Sequence, residues 1–311
     1  MKVSRFGWKG VWFISLCFLT GIFGCRSYDS EENEFPDTPT RGTIHISADE
    51  SFAPVVDELV KVYESNHTGT HIIVHYKPEA DCLLDFGVDS IRMVIATRGY
   101  SDDEREFIMD SLKLIPEKMI VARDAIAIIV NPRSPDSLFT MPELVEVLKG
   151  DFNKNLIPVF DGVKATSTVR YIIDSVLHGD TLTPKAVAAR TSQGVIDYIA
   201  KTPDALGFIG VSWIGNPDDT AQLSFLKKVR IGMIESTDKP GWYVKPYQAN
   251  IYTKRYRMVR DLVYTLKEKH KGLGHGFANF MSGEIGQRIF KRAYLFPGQL
   301  NLNNRVVRIT E

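Results

Sequence analysis

Three short stretches set hydroxyls or a guanidinium at a predicted strand end, where an open α/β sheet presents its ligand-binding groups. Asp49-Glu-Ser-Phe52 places Ser51 at a helix start. Thr97-Arg98 follows a third strand, and Lys164-Ala-Thr-Ser-Thr168 opens a helix with Arg170 one turn in. A helix N-terminus carries unsatisfied N–H donors and roughly half a positive charge, which suits a small oxyanion. Arg98 would add a bidentate, charge-assisted pair. Taken singly, each loop reads more simply as an ordinary N-cap, because Ser and Thr are common capping residues. Three of one kind, two from one half of the chain and one from the other, point to a shared anion site.

Other chemistries find less support. Ser, His and Asp all occur, but the chain has no G-x-S-x-G elbow, so no catalytic residue is assigned and an enzyme is not expected. His71 and His75 would stand about 13 Å apart on a strand, at ~3.3 Å per residue, too far for one ion. Neither a metal nor a cofactor is expected. Gly272-Leu-Gly-His-Gly276 lacks the lysine and strand–loop–helix context of a phosphate-cradling loop and reads as a turn between C-terminal helices. Trp213, Trp242 and Tyr243 read as core or interface aromatics. The 38 Lys+Arg against 38 Asp+Glu exclude the cationic surplus that a nucleic-acid grip needs.

The elements that position these loops follow from periodicity. Thr43–Ser47, His71–Tyr76 and Arg92–Thr97 read as strands. Phe52–Tyr63 and Ala80–Phe86 read as helices, and Ser101-Asp-Asp-Glu104 as a capping box. This β-α-β-α-β-α order predicts a mostly parallel sheet with helices on both faces. The pattern restarts with the apolar strand Asp124–Val130, a second capping box at Thr140-Met-Pro-Glu143, strands at 156–160 and 205–211, and a helical stripe at 169–177. Tyr256, Val259, Leu262, Val263 and Leu266 suggest another helix, and 283–291 a further one. With 311 residues, two lobes are expected. Lobe 1 takes 42–122 and 246–311, lobe 2 takes 123–245, and hinge crossings lie near Met119–Val130 and Tyr247–Thr253.

The N-terminus indicates export. Lys2, Arg5 and Lys9 precede an apolar run, Val11–Phe23, too short for a comfortable span of roughly 20 residues. Residues 1–24 are expected to be a signal peptide. Ile22-Phe-Gly-Cys25 resembles a lipobox, so Cys25 would be acylated and 25–41 would form an acidic tether. The alternative is an ordinary cleaved signal. Of the three cysteines, only Cys82 remains in the body, and it reads as a buried hydrophobe.

Asp49-Glu-Ser-Phe52, Tyr76-Lys-Pro-Glu-Ala80, Asp124-Ala-Ile-Ala-Ile-Ile-Val-Asn-Pro132, Ser167-Thr-Val-Arg170, Gly207-Phe-Ile-Gly-Val211 and Gly283-Glu-Ile-Gly-Gln-Arg-Ile289 resemble phosphate-type ABC-transporter substrate-binding lipoproteins of a Bacteroides-like branch. The resemblance runs from Gly42 to the C-terminus. It implies a two-lobed α/β fold of the type II periplasmic-binding-protein kind, closing over one anion, with an ABC permease as partner and an extracytoplasmic, lipid-anchored location. By position it implies ligand contacts from Ser51, Phe52, Ala80, Asp81, Thr97, Arg98, Thr166, Ser167 and Thr168. The family commonly has a Gly-Ser-Gly-Thr loop preceded by arginine. Here the loop is Ala165-Thr-Ser-Thr168, and Gly162 stands where the arginine would be. Arg98 or Arg170 would compensate. A carboxylate that accepts the hydrogen of a protonated anion tells phosphate from sulfate, and Asp49, Glu79 and Asp81 are all candidates. The expectation is capture of a tetrahedral oxyanion, phosphate first. The rivals are an anion sensor or surface scaffold uncoupled from uptake, and, behind these, a hydrolase.

Overall fold

Apolar alternation and helical stripes become strands and helices over most of the chain, and capping chemistry sets several boundaries. The computed structural model describes residues 36–151, 155–162, 166–216 and 219–299. The expected signal peptide, Cys25 and most of the expected tether lie outside the described residues, as do Lys164 and Ala165. The chain divides into Met1–Pro36 and a compact body from Asp37 onward.

In the first part of the body, β1 (Arg41–Asp49), β2 (Gly69–Lys77) and β3 (Ile91–Ala96) alternate with α1 (Ala53–Asn66), α2 (Glu79–Leu84) and α3 (Asp102–Leu112). β1 pairs parallel with both β2 and β3. Ser101 caps α3 with a complete capping box through Glu104, as its sequence predicts. Five residues of α1, Val55, Val56, Leu59, Val60 and Tyr63, are buried as one stripe. β4 (Glu117–Val130) and the short β5 (Leu138–Phe139) follow. Then come α4 (Met141–Lys149), with its own capping box from Thr140 and Glu143, β6 (Ile157–Phe160) and α5 (Ser167–Tyr171). α5 continues into one π turn, Ile172–Val176, so the expected helix at 169–177 is interrupted.

β7 (Val187–Ala188), α6 (Ser192–Lys201), β8 (Ala205–Gly210), α7 (Thr220–Lys228), β9 (Arg230–Ile231), β10 (Met233–Glu235) and β11 (Tyr243–Val244) complete the second part. The chain then returns through α8 (Gln248–Tyr252), β12 (Val259–Leu266), α9 (Leu273–Ser282), α10 (Glu284–Arg292) and β13 (Phe296–Pro297). The main sheet runs β2-β1-β3-β12-β4-β8-β6-β7, with β9 and β13 added to β4. Its outer strands are parallel, and β12 and β4 are antiparallel to their neighbours at the centre. The fold is therefore mixed α/β rather than uniformly parallel. On β4, Ile126, Ile128 and Val130 join one core cluster while Ala127 and Ile129 join another, which is why its sequence reads as a continuous apolar run.

Three expectations are corrected. Tyr256–Leu266 is not a helix but contains β12, which lies between β3 and β4 with both faces covered from Leu262 to Leu266. Burial on two faces removes the period-two signal, and the apolar positions that remained mimicked a helical spacing. Tyr247–Thr253 is not a strand-like crossing, because it forms α8. Gly272–Gly276 opens α9 rather than separating two helices. Its glycines allow close approach: a Cβ on Gly276 would overlap Pro39 O and Tyr63 Oη. The end of the expected tether also joins the body. Asp37 is buried, accepts a hydrogen bond from Leu273 N, and lies 3.2 Å from His270 Nε2 and 3.5 Å from Arg92 Nη2.

Candidate functional site

The first loop is built by its own caps. Asp49, the last residue of β1, accepts from Ser51 N at 3.0 Å and starts the 3₁₀ turn Glu50–Phe52. Thr166 caps α5 by accepting from Val169 N at 3.3 Å, which sets Ser167 and Thr168 in its first turn. These two starts meet: Ser51 Oγ lies 3.4 Å from Ser167 Oγ and 3.5 Å from Asp161 Oδ2. Ser51 O accepts from Ser212 Oγ at 3.1 Å and from the Trp213 indole at 2.9 Å, while Glu50 accepts from Ser192 N and Oγ at 3.3 and 3.0 Å. Ser51, Ser167 and Thr168 are at most 1% exposed. The caps are thus Asp49 and Thr166, and Ser51, Ser167 and Thr168 lie just inside the starts they cap, where the two loops converge.

The cation among these hydroxyls is Arg260, which the sequence reading did not single out. It stands opposite Asp124 in the β12–β4 pairing and donates to it from Nε at 2.9 Å. Its Nη1 donates to Ser167 Oγ at 2.8 Å and Thr168 Oγ1 at 3.3 Å, and its guanidinium carbon lies 5.0 Å from the centre of the buried Phe52 ring. Nη2 lies 2.9 Å from Asp124 Oδ2 but is not aligned for a hydrogen bond. Burial pulls the Arg260 pKa down; Asp124 and Asp49 outweigh it and keep the guanidinium charged. Gly210 makes room: a Cβ there would come within 3.2 Å of both Nη2 and Asp124 Oδ2, and within 3.3 Å of Ser51 O.

Among the described residues, three buried side-chain polar atoms have no hydrogen-bond partner: Ser47 Oγ, Asp49 Oδ2 and Arg260 Nη2. Such orphans are costly, about 1–3 kcal/mol each and more when charged. Two of the three belong to this site, one an acceptor and one a donor. Burial raises the Asp49 pKa, with Arg260 opposing. Asp161, also buried, is pushed up to about 7, first by burial and then by Asp49.

The second cluster adjoins the first. Thr97 N donates to Glu79 Oε1 at 3.0 Å, the Thr97 hydroxyl donates to the same oxygen, and Arg170 reaches Glu79 from Nε at 2.6 Å. Burial would raise the Glu79 pKa, but Arg170 and Thr97 outweigh it and hold it low. Of the sequence candidates, Ser51, Phe52, Thr97, Thr166, Ser167, Thr168 and Arg170 are brought together. Arg98 turns away into a bidentate pair with Glu104, at 2.7 and 2.8 Å, which holds the Glu104 pKa at about 2. Ala80 and Asp81 lie on the exposed side of α2. Of the carboxylates considered for recognising a protonated anion, Asp49 is inside with a free oxygen, Glu79 is fully engaged and Asp81 is outside.

No group of three or more metal-ligating side chains occurs among the described residues. His45 pairs with His75 across two strands, Nδ1 to Nε2 at 2.9 Å, and His71 faces Glu64. No helix among the described residues is long and apolar enough to cross a membrane.

Solved structures share this architecture. A protein from Clostridium perfringens, described as a phosphate ABC transporter substrate-binding protein and solved with phosphate bound, superposes with a TM-score of 0.68 at 17% identity, covering 82% of this chain and 99% of its own. An ABC-type phosphate transport receptor from Vibrio cholerae gives 0.61 at 16% identity, covering 81% and 99%. A search of the curated proteins returns no match. The family described as the PBP superfamily domain matches residues 33–284, and with most of its length inside that match the chain belongs to this family.

Proposed function

We propose that the protein is a lipid-anchored, extracytoplasmic solute-binding protein that captures one tetrahedral oxyanion, phosphate, for an ABC permease without converting it. The observation that carries this reading is the pair of buried orphans, Arg260 Nη2 and Asp49 Oδ2. Hydrogen phosphate brings an oxygen to the first and a hydroxyl hydrogen to the second. Sulfate brings no hydrogen, so Asp49 repels it. The hydroxyls of Ser167 and Thr168 accept from Nη1 of the same guanidinium, and Ser51 Oγ lies 3.4 Å from Ser167 Oγ. The phosphate bound to the Clostridium perfringens protein supports the ligand class.

Lobe 1 is taken as 42–122 with 246–311 and lobe 2 as 123–245, with the crossings between them at Met119–Val130, within β4, and at Tyr247–Thr253, which contains α8. Ser51, Phe52, Thr97 and Arg260 then belong to the first lobe, and Thr166, Ser167, Thr168 and Arg170 to the second. Binding shifts an open–closed equilibrium because only the closed form gathers both sets. Cys25 carries the anchor at the cell envelope. Calorimetric titration with phosphate, sulfate and a sugar panel tests the reading. Phosphate should give heat and raise the melting midpoint by mass action. Heat from a sugar alone would overturn the assignment. Phosphoester turnover lost in Ser167→Ala would place the protein among enzymes.

A further inference from the structure

Thr97 and Arg170 are the donors expected to meet the oxyanion, yet a side chain of the protein already holds them. The Glu79 carboxylate is 1% exposed and accepts four hydrogen bonds: from Thr97 N, from the Thr97 hydroxyl, and from Arg170 Nε and Nη2 at 2.6 and 3.4 Å. Arg170 Nη2 also donates to Thr97 Oγ1 at 2.7 Å, which closes the cradle around the carboxylate. Glu79 starts α2 and Thr97 directly follows β3, whereas Arg170 lies on α5 beyond the two central strands. The bridge therefore joins the two lobes assigned above. Glu79 is ionised, because its donors outweigh burial. The neighbouring Arg260 differs in keeping Nη2 without a hydrogen bond.

We infer that Glu79 is a resident anion that fills the Thr97–Arg170 cradle and latches the lobes together when no solute is bound, so that an incoming oxyanion competes with it for Arg170. This rests on the oxyanion reading for its ligand and on the Glu79–Arg170 geometry for its latch. The Arg170 side chain is 37% exposed and has a second carboxylate, Asp174, at 3.5 Å, so it can move without being stranded. An arriving anion also meets the like charge of Glu79, which opposes binding at short range.

The test is Glu79→Gln, which keeps the shape and the acceptor for Thr97 N but removes the charge. Asp238→Asn is the control, because Asp238 pairs with Arg255 at an exposed position and its loss removes one negative charge elsewhere. Phosphate titration should show E79Q binding about tenfold tighter than wild type, the effect expected of removing a like charge close to the anion, with D238N unchanged. Equal tightening in both variants, or no tightening in E79Q, overturns the competition. If neither wild type nor E79Q responds to any oxyanion, the ligand reading falls, and X-ray scattering in buffer judges the latch. A more extended E79Q supports it, and identical profiles overturn it. Should E79Q fail to fold, Glu79→Asp, which shortens the arm and loosens its hold on Arg170, gives the same test in weaker form.

Discussion

Arg260→Lys isolates the contribution of the buried guanidinium without stranding Asp124, which is fully buried. Lysine keeps the positive charge beside Asp124, but one ammonium cannot serve Asp124, Ser167, Thr168 and a bound anion together. The group lost to the anion is Nη2, a charge-assisted donor worth about 1.5–3 kcal/mol, so the phosphate Kd should rise about 10- to 150-fold. The two hydroxyl contacts of Nη1 put a further 1–2 kcal/mol or so of stability at risk. Arg260→Met is a poorer probe, since an unpaired buried carboxylate costs about 3–5 kcal/mol and threatens the fold. Isothermal calorimetry with phosphate gives the affinity, and thermal melting without phosphate checks that R260K remains folded. Arg98→Ala is the comparison. Its salt bridge to Glu104 is partly exposed and worth about 1 kcal/mol or less, so phosphate affinity should stay within a few-fold of wild type. Wild-type affinity in R260K, or a larger loss in R98A than in R260K, refutes the assignment of the cation.

Asp49→Asn retains an acceptor for Ser51 N and turns the orphaned oxygen into a donor, so phosphate should weaken while sulfate gains, measured by parallel titrations. An unchanged phosphate-to-sulfate ratio would show that Asp49 does not discriminate. Gly210→Ala should weaken phosphate about tenfold by pressing on Arg260 and Asp124, the loss of roughly one hydrogen bond's worth of alignment. Tight binding in G210A would mean that the guanidinium need not stay where it is. Asp161 titrates near 7 in the folded protein against 3.8 ordinarily, so it binds its proton more tightly when folded. Its contribution is present below pH 4 and lost as pH rises through 7, amounting to roughly 4 kcal/mol at most. Asp161→Asn should flatten the fall in melting temperature between pH 5 and pH 8; parallel curves for the two proteins would refute the assignment.

Residues that act on near neighbours were legible from the chain. Ser101 and Thr140 bond backbone groups three residues away, so their capping boxes are written in order. Ser51, Ser167 and Thr168 were found for the same reason, because a helix start is a local event. Arg260 was not legible: its partner Asp124 lies 136 residues earlier, and the pair exists only because β12 inserts between β3 and β4. The same insertion buries both faces of β12 and erases the alternation that would have marked it as a strand. Arg98 and Arg170 carry the same group, and nothing in their spacing says which turns inward. Glu104, six residues on in the first turn of α3, captures the first, while Glu79 on a distant helix captures the second. Short-range hydrogen bonding thus set the caps and helix starts from the order of residues alone. Which charges face one another out of water depends on strands far apart in the chain coming together, and only the folded arrangement decides that.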